Sequence, residues 1–167
     1  MSLTAQLFTK LTATQTRTLP LSTPTDALAV NLNLAPTGDQ MYHTRQTLEA
    51  EGAVLIDLSN LSNGVGESFA FQAIRLAAVI NRAPDGYVGA SGDLERRVQV
   101  GGAASDAFIG WFGDASDVEE IGPGGQVFHY DPYGWTVAAG QNVLRIANLD
   151  AENEVTVDLV LIGDQTE

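Results

Sequence analysis

The sequence predicts an all-β protein: a two-sheet antiparallel β-sandwich of jelly-roll type with an N-terminal strand or arm. Three observations predict it. From Val98 to Gly163, short apolar runs alternate with clusters of Gly, Asp, Asn and Pro, the rhythm of strands that each cross a half-buried sheet and turn back. Several runs alternate apolar and polar with a period of two, as at Leu28, Val30, Leu32 and Leu34. Every element flanking the one segment whose pattern also fits a helix reads as a strand. At 167 residues and 44% hydrophobic, the chain suffices for one domain with a sizeable core. The expected division is an N-terminal arm or edge strand over 1–25 and a single sandwich over 26–167.

Taken in order, residues 3–11 read as a strand or pairing arm, rich in Thr and carrying Leu3, Leu7 and Phe8, and Pro20 and Pro24 then break regular structure. Asp26–Leu34 is a strand by strict alternation. Pro36-Thr37-Gly38-Asp39 turns the chain, and 40–48 and 53–58 read as two more strands around Glu51-Gly52. Residues 60–67 form a loop of turn formers. Phe69–Asn81 is ambiguous: Ile74, Leu76, Ala78 and Ile80 alternate, while Phe69, Ala73, Leu76 and Ile80 also fit a helical stripe. A long central strand is the choice, because every flanking element is a strand. Residues 81–97 read as a loop, with turn signals at Pro84-Asp85-Gly86 and Ser91-Gly92-Asp93. Strands are then expected at 98–101, 107–112, 118–121, 126–130, 135–139, 143–147 and 155–162.

Charge and composition narrow the function. The net charge is −13, with one lysine, Lys10, and scattered arginines. A nucleic-acid binder needs a basic face to neutralise phosphates, so no nucleic-acid partner is expected. No run reaches the length of a membrane span; Phe69–Ile80 is interrupted by Gln72 and Arg75. The first residues lack the basic and apolar regions of a signal peptide, so synthesis in a cytoplasm is expected. Cysteine is absent, which removes disulfides and thiolate chemistry.

The C-terminal half carries an ordered series of motifs. These are Gly101–Ser105 (GGAAS), Phe112–Asp114 (FGD), Pro123–Gly125 (PGG), Gly134–Val137 (GWTV), Leu144–Asn148 (LRIAN) and Val160–Gly163, with Gln40–His43 upstream. The series resembles a family of small tailed-bacteriophage virion proteins over roughly 40–163. The resemblance implies an all-β virion component. Glu119-Glu120 and Phe128-His129-Tyr130 depart from the smaller or apolar residues usual at those positions.

No catalytic constellation stands out. His43 and His129 are the two histidines; pairing His129 with Asp131 would make a general base, but a packed or interface histidine is the simpler reading. No serine lies in a G-x-S-x-G elbow. Gly101-Gly102 and Gly122–Gly125 lack the Lys-Ser/Thr of a phosphate loop. The acidic turns at Asp114–Glu120 and Asp150–Glu154 read as solvated, with a calcium role at a subunit junction as the alternative. No enzyme activity, cofactor or metal is expected. Tyr130-Asp-Pro-Tyr-Gly-Trp135 is a turn bearing three aromatics, suited to a protein contact. Candidate interface residues are Tyr130, Tyr133, Trp135 and Trp111, with Leu3, Leu7 and Phe8 on the arm. The expected function is that of a capsid decoration (cement) protein, located in the virion and bound to the major capsid protein or other virion proteins. A homo-oligomer is expected, a trimer by analogy with three-fold lattice sites. The alternatives are a head–tail, tail or fibre component, or a carbohydrate-binding module.

Overall fold

The computed structural model describes residues 7–16, 25–34, 38–62, 66–83 and 96–165, the first two segments through their backbone pairing. Among these residues every regular element is a strand and every pairing between strands is antiparallel. The chain divides into two compact units, Thr4–Pro36 and the remainder from Thr37 onward.

In the first unit, β1 (Leu7–Thr16) pairs with β2 (Thr25–Leu34) from Leu7 opposite Leu34 to Thr16 opposite Thr25. The strand expected at 3–11 therefore runs 7–16, and Leu3 lies outside the described residues. The expected boundary at residue 25 falls inside this unit. Two β-prone runs adjacent in sequence pair with each other, as consecutive strands commonly do, so the run at 26–34 belongs to a hairpin.

The second unit contains β3 (Gln40–Leu48), β4 (Ala53–Asp57), β5 (Leu61–Ser62), β6 (Ser68–Phe69), β7 (Phe71–Asn81), β8 (Val98–Gly101), β9 (Val118–Ile121), β10 (Gln126–Thr136), β11 (Val143–Asn148) and β12 (Val155–Gln165). Two four-stranded sheets have the orders β10-β7-β12-β3 and β4-β11-β8-β9, and β5 and β6 make a short ribbon. The ambiguous segment is a strand, β7, flanked on both sides.

Alternation explains how the two sheets share one core. Val155, Val157, Leu159 and Leu161 of β12 and Ile74, Ala77 and Val79 of β7 join one buried cluster with Val98 and Val100 of β8, Leu144 and Ile146 of β11, and Ile56 of β4. Successive strand residues point to opposite faces, so one register of β8, β11 and β12 supplies the core, while on β7 the register shift beside Arg75 carries it from Ile74 to Ala77 and Val79. On the other register of β12, Asp158 is buried (3% exposed). Its carboxylate accepts two bonds from Arg45 on β3, at 2.6 and 2.8 Å, and one from Arg82 just past β7, at 2.7 Å. The Arg45 guanidinium, with Arg82 beside it, holds the Asp158 carboxyl well below the usual carboxylate range, against the opposing effect of burial.

Two expectations in the last third are corrected. Residues 107–112 are not a strand: Ala107 makes one isolated parallel bridge to Val143, and the chain then turns. Left-handed backbone at Asp106 and Gly113 bends this stretch, and Gly110 lies against Phe108 and Trp135 where a side chain has no room. The strands expected at 126–130 and 135–139 are one strand, β10, interrupted by a bulge between Tyr130 and Trp135. Pro132 has no N–H for the ladder and Gly134 adopts φ 81°, so four residues are extruded and pairing with β7 then resumes.

Candidate functional site

The aromatic residues singled out by sequence separate into two structures on β10. The first closes the side between the sheets where β9 and β10, both edge strands, follow one another in the chain. Trp111, from the β8–β9 loop, stacks on His129 with ring centroids 5.1 Å apart and planes 16° from parallel. Trp135 meets Trp111 edge-on at 5.5 Å, and Phe108 meets it at 4.9 Å. Phe112 lies at 5.1 Å from the same indole. Such geometries suit the quadrupoles of the rings and add to the area they bury. His129 Nε2 and Glu119 Oε2 share a hydrogen bond of 2.7 Å, tying β10 to β9. Trp111 Nε1 is buried and meets no acceptor among the described residues. Trp111 and Trp135 are each half-buried, so this cluster is mostly packing.

The second structure is the bulge itself. Tyr133 is 88% exposed at its tip. The backbone N–H of Tyr133 donates to Asp131 Oδ1 at 2.8 Å, an Asx turn. Arg75 reaches up from β7, donating to the Pro132 carbonyl and to Asp164 Oδ2 at 2.8 and 3.0 Å. A side chain at Gly134 would press on Ala73 and Arg75 at about van der Waals limits, which fixes that residue as glycine. An aromatic ring is thus presented on a braced backbone. Tyr130, half-buried, and Phe128, 37% exposed, sit on the outward register of the same strand, opposite Leu76 and Ala78. Leu7 and Phe8 belong to β1 and so to the other unit.

Of the two readings weighed for His129, a general base with Asp131 and a packed histidine, the structure has the ring stacked on Trp111 and bonded to Glu119. Asp131 caps Tyr133, and Glu119, ten residues away on another strand, is the partner of His129. The signal available in sequence was parity: Val127, His129 and Trp135 share the register that packs toward the core, and Glu119 shares its register with core residue Ile121. The acidic turns bind their own backbone. Asp114 Oδ1 accepts from Ser116 N and Oγ, and Asp150 accepts from the N–H groups of Glu152, Asn153 and Arg96. Burial pushes the Asp150 carboxyl up, yet these donors outweigh it and hold it below its ordinary value. Among the described residues no group of three or more His, Asp or Glu side chains is arranged to hold a metal ion.

Comparison with known proteins finds no matching family model, no matching curated protein and no matching solved structure.

Proposed function

We propose that the chain is a structural protein of a tailed-bacteriophage virion, a decoration (cement) protein that stabilises the head shell through protein–protein contacts. The ordered motifs over 40–163 support the reading, and so does the strand order. Numbered along the chain from β3 and leaving out the short ribbon, the eight strands pair 1–8, 2–7, 3–6 and 4–5. That is the pairing of one long hairpin rolled into two facing sheets, which favours a sandwich of jelly-roll type. A fold of this kind serves many functions, so the argument for this one rests on its surfaces.

The observation that carries the proposal is the separate hairpin. A two-stranded sheet is at best marginally stable in water and needs a further apolar surface. Residues 4–36 hold Lys10, Arg17 and Asp26 as their sole charged side chains, so the acidity of the chain lies on the other unit. In this reading the sparsely charged hairpin is the arm that neighbouring virion subunits cover, and the braced Tyr133 is an anchor for a second contact. Large aromatics of restricted freedom are favoured at such contacts. Repetition around a closed ring, a trimer at a three-fold site, would multiply both contacts.

The test is the copy number of the chain in purified particles encoded with it, by quantitative mass spectrometry and by density in a particle reconstruction. Hundreds of copies on the shell support decoration. A dozen or fewer assign it to the head–tail junction, tail or fibre, and absence from the particle refutes a virion role.

A further inference from the structure

A groove of about 400 Å³ opens at one end of the second unit, lined by Ser59, Ala70, Phe71, Asp106, the turn 137–140 and Asn142. That volume lies within the range of small-ligand sites. Its walls are fixed. Asn142 N and Val143 N both donate to the Asp106 carbonyl, at 2.9 and 2.8 Å. Leu58 N donates to Asn142 O at 2.8 Å, Phe71 N to Leu58 O at 2.9 Å, and Gln141 N to Ala138 O at 2.9 Å. Four chain segments are therefore held together around the opening.

The side-chain hydrogen-bond inventory of this groove is one-sided. Its side-chain donors are already used: Ser59 Oγ donates to Asp57 Oδ1 at 2.6 Å, and Asn142 Nδ2 donates to Asp57 Oδ1 at 2.7 Å and to Ser59 Oγ at 3.0 Å. These bonds, the Ser59 hydroxyl first, hold the Asp57 carboxyl below its ordinary range, so it stays ionised behind the groove. What remains among the side chains is acceptor capacity: the solvent-exposed Asp106 carboxylate makes no side-chain hydrogen bond or ion pair among the described residues. Ala70, Ala138, Ala139 and Val137 supply a lining of methyl groups beside it.

We propose that this groove receives the guanidinium group of an arginine side chain from a partner polypeptide. A guanidinium is donor-only, planar and permanently charged, and it meets a carboxylate through two parallel bonds. Its aliphatic stem suits a methyl-lined wall. An anion is excluded by Asp106 and Asp57. A metal cation finds one free carboxylate where it requires several oxygen ligands. The net charge of −13 favours approach of a basic partner. The identity of that partner as another virion component rests on the proposed function; the chemistry of the groove does not.

The experiment is an amide ¹H–¹⁵N NMR titration of the full chain with N-acetyl-arginine amide, and with N-acetyl-citrulline amide as the uncharged isostere. The expected result is saturable movement of the amides of Asp106, Gly140 and Asn142 with the arginine compound and none with citrulline. Asp106→Asn, which keeps a residue tolerant of the left-handed φ of 53° at this position, weakens the binding by about fivefold or more. No saturable movement, an equal response to citrulline, or unchanged binding by Asp106→Asn overturns the proposal. Because the titration uses the isolated chain, its failure leaves the virion reading standing, and absence from particles leaves the groove chemistry standing.

Discussion

Trp111 lies flat on the imidazole of His129, 5.1 Å between ring centroids, while that imidazole is hydrogen bonded to Glu119 at 2.7 Å. A loop, an edge strand of one sheet and an edge strand of the other are joined by this stack at the side of the core.

Trp111→Ala should therefore lower the free energy of unfolding by about 3 kcal/mol, since the indole contacts Phe108, Phe112, His129 and Trp135 and its removal leaves a cavity. Glu119→Gln keeps an acceptor for the imidazole and should cost less than about 1 kcal/mol. Urea denaturation followed by tryptophan fluorescence and circular dichroism measures both. A loss for Trp111→Ala no larger than that for Glu119→Gln would mean the stack is not holding the edge.

Asp158 links three strands through Arg45 and Arg82, and its folded-state pKa lies below its unfolded value. A depressed carboxyl pKa contributes stability that is complete above the unfolded value of about 3.9 and is lost as pH falls toward the folded value. Asp158→Asn should cost about 2 kcal/mol at neutral pH. The gap between wild type and variant should narrow in acid below about pH 4. A gap independent of pH from 7 to about 2.5 contradicts the assignment.

Gly163 sits where β12 and β7 shift register, and a Cβ there would collide with the backbone carbonyl of Ala73. Backbone on the neighbouring strand cannot swing aside as a side chain can. Gly163→Ala should destabilise by about 3 kcal/mol, and Gly122→Ala, where a Cβ meets open space, should stay within about 1 kcal/mol. Thermal melts of the two variants compare them directly, and equal melting temperatures would refute the clash.

Tyr133→Ala should leave stability within about 0.5 kcal/mol of wild type, because the ring is 88% exposed. The same variant should lose occupancy on particles if the ring is an anchor. Normal occupancy removes Tyr133 from the contact without disturbing the fold.

Much of the fold was legible because alternation is local. The run at 26–34, the run at 155–162 and the 40–48 strand each announce a strand by alternation. Residues 107–112 were not legible: Phe108 and Trp111 give an apolar run that serves a packed turn, since Asp106 and Gly113 impose bends and Gly110 allows close packing that hydrophobicity does not report. The pairing of β2 with β1 was hidden because alternation says that a strand exists but not which strand it joins. The aromatic segment 130–135 was visible as a candidate contact. Its division into a half-buried Trp135 and an exposed Tyr133 depends on the bulge at Pro132 and Gly134, and the partners of His129 and Asp158 come from strands distant in the chain.

Within its sheet β3 has β12 as its neighbour, Gln40 opposite Gly163 and Leu48 opposite Val155. During synthesis the β3 segment leaves the ribosome more than a hundred residues before the segment that completes its ladder. The nascent chain must carry that unpaired strand until β12 has emerged, a long-range closure of the kind that folds slowly. In a cell this interval is when a chaperone would be needed most, and when crowded copies are most exposed to pairing with one another.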